Sequence, residues 1–205
     1  MNSLSNNGSV LLITKQPTKV IHDYFEVGKH TQRNHNELAG LLIGIDHDTG
    51  NGKVQSIVTH FLPIETCVST PSYLEWSATE DIRLQRQFKS IKESFLMRDA
   101  NFASKLRILG WIHSHPNGLP VFLSGTDMDN IRLHFNSSIQ FSVVLNPHSE
   151  WWKAYLGPQK EEVPSLMLPV DADMLHADLL KHSTTKSSNQ KKSRKKKKKY
   201  HGRRH

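Results

Sequence analysis

The chain has 205 residues, 13 histidines, one cysteine and a formal charge of +8 at pH 7. A lone Cys67 excludes an internal disulfide and a cysteine-built zinc finger, and it fits a reducing compartment. From Lys181 onward stand 12 Lys or Arg and no acidic residue, which leaves 15 basic against 19 acidic residues before it; the positive charge belongs to the C-terminal segment, not to the body of the chain.

Met1 to Gly8 is polar and uncharged, and Val10 to Ile13 reads as a short strand. No apolar run approaches the ~18 residues needed to span a bilayer, so no membrane role is expected and the location is intracellular. Pro17 opens a helix whose Val20, Ile21, Tyr24 and Phe25 recur on one face. Leu38 to Ile45 is a strand, Asp46 to Gly52 has tight-turn composition, and Lys53 to Leu62 answers as the hairpin partner. Thr79 caps a long helix carrying Leu84, Phe88, Ile91 and Phe95. Strands over Leu106 to His113, Gln140 to Leu145 and Trp151 to Leu156, with a helix after Ser124, complete the domain. Asp173 to Lys181 suggests a last short helix.

The chemistry gathers in two segments. On a strand, side chains two positions apart share a face, so His113 and His115 project together while Ser114 points away. Pro116, Asn117, Gly118 and Pro120 then break the strand into a loop that can return Asp127 to the two imidazoles. Two His and one carboxylate leave a tetrahedral position open for water, the mark of a catalytic zinc site. Glu37 stands at the entrance of the apolar run Leu38 to Ile43, where a carboxylate can serve as a general base. Each residue also has a plainer reading. Ser124 with Asp127 three positions on is what a helix N-terminus looks like, and the two roles are compatible. A His-x-His alone is more often two satisfied or surface histidines than a ligand pair. For His35, His47, His60, His134 and His148, without partners at ligand spacing, a solvated side chain is the default. Trp151 and Trp152 read as packing residues, with an exposed one available to a partner.

Glu37 through Gly40, His113-Ser114-His115-Pro116 and Ser124-Gly125-Thr126-Asp127 together resemble the JAMM motif of MPN-type metalloproteases. The stretch Phe141 to Pro147 is similar to the strand and turn that follow the motif, with Asn146 where Asp is more usual. Eight residues, Pro116 to Leu123, separate His115 from Ser124, one more than in the family pattern. A loop absorbs such an insertion, so Asp127 is expected to reach the metal, with Asp129 as the fallback. The resemblance implies an α/β fold, a single MPN-like domain with a curved mixed β-sheet flanked by helices. The resemblance covers roughly Val10 to Leu156 and places the metalloprotease domain at residues 10–180; by composition, residues 1–9 are expected to be a flexible start and the Lys/Arg-rich tail 181–205 to be disordered. The resemblance further implies one Zn²⁺ per chain on His113, His115 and Asp127, and the spacing of the other histidines offers no second ligand cluster. Glu37 becomes the base, Ser124 the oxyanion donor, and the substrate an isopeptide or peptide bond after the C-terminus of ubiquitin or a ubiquitin-like protein.

Two other functional classes remain open from sequence. One is a noncatalytic MPN scaffold working with a partner subunit, although such relatives typically lack motif ligands that are all present here. The other is a nucleic-acid-associated protein acting through the tail, whose Lys191 to Lys199 run suits nuclear import or a tether to RNA, DNA or an acidic partner.

Overall fold

The computed structural model describes residues 8–48 and 54–171. Val10 to Ile13 forms β1 (Val10–Ile13) and buries alternate side chains, Leu11 and Ile13. The helix that follows, α1 (Lys15–Phe25), starts two residues before Pro17, which occupies its third position. The difference is tolerated because the N–H groups of a helix's first turn have no partner inside the helix, so proline there sacrifices no bond. A short 3-10 turn over Arg33–His35 leads to β2 (Ala39–Asp48), which pairs antiparallel with β3 (Val54–Pro63) as the hairpin pattern required.

A small hairpin of β4 (Cys67–Thr70) and β5 (Tyr73–Trp76) then forms a separate two-stranded sheet. Helix α2 (Ala78–Leu96) is capped by Ser77, whose hydroxyl accepts from the Glu80 N–H, and not by Thr79. Ser77 wins because only it keeps the extended backbone of a cap while Thr79 is already inside the first turn. Leu84 is buried, whereas Phe88, Ile91 and Phe95 are half-covered. After α3 (Ala100–Lys105) come β6 (Arg107–Ser114), α4 (Gly125–His134), β7 (Phe141–Asn146), β8 (Trp151–Leu156), β9 (Glu161–Val163) and β10 (Ser165–Met167). The proposed helix over Asp173 to Lys181 and the basic tail lie outside the described residues, as does most of the β2–β3 turn.

Eight strands form one mixed sheet in the order β10-β1-β3-β2-β6-β7-β8-β9. Adjacent residues of β2 point to opposite faces and so divide the core in two. Leu42 joins Leu11, Val58, Ile112 and Val143 under α1, which contributes Ile21 and Phe25. Leu41 joins Ile64, Trp76 and Trp111 under α2 and α4, which contribute Leu84 and Ile131, with Phe135 just past the end of α4. Trp152 packs against the α1 core, while Trp151 is 68% exposed, so the two tryptophans divide between packing and surface. Among the described residues, no helix is long and apolar enough to cross a membrane.

The β6–β7 pairing that supports His113 depends on Gly110. Its φ is +150°, and a Cβ there would lie 1.9 Å from the Phe141 carbonyl oxygen. A backbone oxygen cannot rotate away as a side chain does, so the strands would have to separate. Gly110→Ala is expected to lower stability by about 3 kcal/mol or more. Denaturant unfolding measures this directly, and a loss under about 1 kcal/mol, near the typical effect of any substitution, would show that the pairing relaxes freely.

Candidate metal centre

The strand β6 and the residue just past its end deliver His113 and His115 to one side of the sheet, the His115 N–H still donating to the Leu145 carbonyl at 2.8 Å. Both are buried. Ser114 points the other way and has a structural task of its own: its Oγ accepts from the Leu38 N–H at 2.8 Å, and its N–H donates to the Leu38 carbonyl at 2.8 Å. These two bonds fasten the β2 entrance to the end of β6. Glu37, buried and adjacent to Leu38, is therefore held beside the histidines. The Glu37 N–H also donates to the Thr70 carbonyl at 2.9 Å, so the β4–β5 hairpin braces it from the other side.

Asp127 arrives from α4. The extra loop residue does not displace it: Oδ1 lies 2.9 Å from His113 Nε2 and Oδ2 lies 3.3 Å from His115 Nε2. Asp129, the fallback, is exposed and paired with Arg132 at 2.9 Å. The loop is held by Asn146, whose amide nitrogen donates to the Asn117 and Leu119 carbonyls at 3.0 and 2.9 Å. A carboxylate at this position could not donate, so the Asn in place of the more usual Asp suits this longer loop.

The donor atoms converge. His113 Nε2 and His115 Nε2 are 3.2 Å apart, and Glu37 Oε1 lies 3.9 Å from His115 Nε2. The tautomer of His115 can be read from its other nitrogen. Nδ1 faces the Pro120 carbonyl at 2.9 Å and must carry a hydrogen to make that bond, which leaves the Nε2 lone pair of the neutral ring aimed at Asp127 and His113. Lone pairs and a carboxylate directed at one point need a cation or a proton between them. Two imidazoles and a carboxylate, with ligand atoms within 4.8 Å of one another and all buried, fit a zinc ion by donor type. Among the described residues, His113 Nδ1 has no hydrogen-bond partner; the Trp111 indole orients this ring instead, stacked at 4.2 Å and 14°.

Charge follows geometry. Burial pushes the Asp127 carboxyl up, but the His113 charge and the hydrogen bonds from His113, His115 and Ser124 outweigh it and hold the group well below the usual carboxylate range. His115 is raised despite its burial, through Asp127, the Pro120 carbonyl and Glu37. Glu37 is pushed up to about 7, chiefly by burial, with the His115 charge pulling it down and Asp127 adding to the rise.

Ser124 is the N-cap of α4 in a capping box. Its Oγ accepts from the Asp127 N–H at 3.2 Å, and its own N–H donates to Asp127 Oδ2 at 2.6 Å. The plain reading of Ser124 is therefore realised. It leaves the hydroxyl hydrogen free of the capping bond, because the oxygen there is the acceptor. Sequence reading gave no role to Ser114, Trp111 or the Asn146 amide; the one available signal was Trp111 at strand spacing from His113.

The expectation of a single ligand cluster does not hold. His30, His35 and His148 form a second group of three. Spacing in the sequence makes His35 and His148 solvated and partnerless, yet the fold brings them together from segments far apart in the chain, which spacing cannot reveal. His134 packs on Trp76 at 4.9 Å and His60 on Phe95 at 5.5 Å, so neither is simply solvated.

Residues 12–136 match the sequence profile of the family described as JAB1/Mov34/MPN/PAD-1 ubiquitin protease, more than half of the chain. A search of curated proteins found no match. Among solved structures, the solution structure of protein DSY2949 from Desulfitobacterium hafniense is similar in fold, with a TM-score of 0.51 and 18% identity, covering 80% of this chain and 96% of that one.

Proposed function

The chain belongs to the JAB1/Mov34/MPN/PAD-1 ubiquitin protease family, and from that premise we propose that it is a zinc-dependent isopeptidase or peptidase that cuts after the C-terminus of ubiquitin or a ubiquitin-like protein. The observation that carries the reading is the buried convergence of His113, His115 and Asp127, with the Glu37 carboxyl 3.9 Å from His115 Nε2.

His113, His115 and Asp127 would hold the ion. A bound zinc supplies Lewis acidity and brings the pKa of a water toward ~7. Glu37 Oε1 takes the proton of the attacking water and returns it to the departing amine nitrogen. Burial raises the Glu37 carboxyl above the usual carboxylate range, which suits it to hold the proton between taking it and returning it. The Ser124 hydroxyl donates to the carbonyl oxygen as charge develops on it. Burial of all three ligand side chains and Glu37 excludes bulk water, which strengthens each of these contacts. Phe122, 50% exposed with its ring 6.3 Å from that of His115, offers an apolar contact beside the site for an extended substrate tail.

Ser124→Ala separates two roles of one side chain. Loss of the cap is expected to cost about 1 kcal/mol of stability, and loss of the oxyanion donor to lower turnover of the folded protein about a hundredfold or more. Chemical denaturation and rates normalised to folded protein measure them independently. Unchanged turnover with lowered stability would reduce Ser124 to a cap.

The substrate class is tested by incubating zinc-loaded protein with a panel of isopeptide-linked di-ubiquitins and ubiquitin-like fusions, with and without chelator. Chelator-sensitive cleavage after the modifier's C-terminus is the expected result. Intact substrates across the panel in protein shown to hold zinc would favour the scaffold reading.

A further inference from the structure

Three histidines outside the metal centre come together where the end of α1, the 3-10 turn and the β7–β8 turn meet. His30 stacks on His148 with ring centroids 4.4 Å apart, and His35 meets the same ring edge-on at 5.6 Å. Their ligand atoms lie within 4.8 Å of one another. Each comes from a segment tied to the others by backbone and amide bonds. The Gly28 N–H donates to the Pro147 carbonyl at 2.8 Å, and the Asn34 amide nitrogen donates to the Glu26 and Lys29 carbonyls at 3.2 and 2.9 Å.

Asn34 is fully buried, and its donations to carbonyls fix which way its amide points. The amide oxygen accepts from the Thr31 N–H at 3.0 Å and faces His148 Nε2 at 3.1 Å. His148 Nε2 therefore carries the hydrogen, and Nδ1, which accepts from the Asn117 N–H at 2.8 Å, is the lone-pair nitrogen. A buried amide that sets the tautomer of a neighbouring imidazole is the arrangement that orients metal-ligating histidines.

We infer that His30, His35 and His148 form a second cation site, distinct from the proposed catalytic one and selective for a borderline divalent transition metal. Three neutral imidazoles suit Zn²⁺, Ni²⁺ or Cu²⁺ and discriminate against Mg²⁺ and Ca²⁺, which take oxygen ligands. His30 and His35 are exposed, so the site is open to the solution and to exchange. Ligation through His148 Nδ1 displaces the Asn117 N–H from that nitrogen, and Asn117 is exposed, so water can take over the donor.

The test uses the full chain, stripped of metal and reloaded with Zn²⁺, with bound metal counted after gel filtration. The wild type should retain one equivalent more than the His30→Ala/His35→Ala variant, and Asp127→Ala should lose a different equivalent, so that the variant lacking both sets loses two. Counting by difference removes any contribution of histidines in the C-terminal segment. Both substituted histidines are exposed, so the double variant is expected to fold, and its melting profile checks this. Cu²⁺ loading gives a second readout: the multiple-nitrogen hyperfine pattern of wild type should weaken in the double variant even in an Asp127→Ala background. Equal metal counts in wild type and His30→Ala/His35→Ala, or an unchanged Cu²⁺ spectrum, would overturn the site without bearing on the proposed catalytic centre.

Discussion

Glu37→Gln is expected to lower turnover by about a hundredfold to ten-thousandfold while leaving the bound zinc and the fold in place. The substitution preserves shape and keeps an amide that can hydrogen-bond, but it cannot accept a proton. A second consequence concerns stability of the metal-free protein. The Glu37 carboxyl rises from 4.5 to about 7 on folding, mainly because burial penalises its charge. The folded state therefore binds this proton more tightly than the unfolded state does, and wild-type stability declines as pH rises from about 4.5 through 7. Glutamine has no such dependence. Metal-free Glu37→Gln should be the more stable protein above pH 7, with the difference fading toward pH 4.5, as thermal melts across that range would record. Near wild-type turnover in the variant would falsify the role given to Glu37.

Asp127→Ala is expected to abolish turnover and to remove the zinc equivalent held with His113 and His115. Two imidazoles alone retain too few donors; because loss of a supporting partner already costs ten- to a hundredfold in affinity, loss of a ligand should cost more than about a hundredfold. Competition with a chromophoric chelator measures it. The same substitution removes the acceptor of the Ser124 N–H and the group that raises His115, so the metal-free variant should show the His115 pKa moving down. Zinc bound at wild-type affinity would mean that Asp127 serves α4 as a cap and nothing else.

Most of the candidate metal centre is legible from local spacing because its pieces rest on local rules. Strand alternation alone puts His113 and His115 on one face, and the Ser124–Asp127 interval is that of a helix start, where an acidic side chain is held in a fixed direction. The placement of Glu37 was legible only as a carboxylate that needed a reason. What brings it to the site, the reciprocal bonds between Leu38 and Ser114, joins residues 76 apart in sequence. The same distance in sequence hid the second histidine group: His148 meets Asn34 across 114 positions. The small hairpin β4–β5 is not legible in sequence because its strands of four residues each are too short for a period to declare itself, and Thr79 and Ser77 are both capping residues between which only the backbone decides.

If a metal held by His113, His115 and Asp127 makes this chain an isopeptidase, titrating metal-free protein with zinc in the His30→Ala/His35→Ala background should couple occupancy to cleavage of a ubiquitin conjugate. Activity should rise in proportion to the single equivalent that Asp127→Ala loses, and reach its plateau when that equivalent is bound. Cleavage at full rate before any zinc is added, or no cleavage once the equivalent is filled, would contradict that role of the metal.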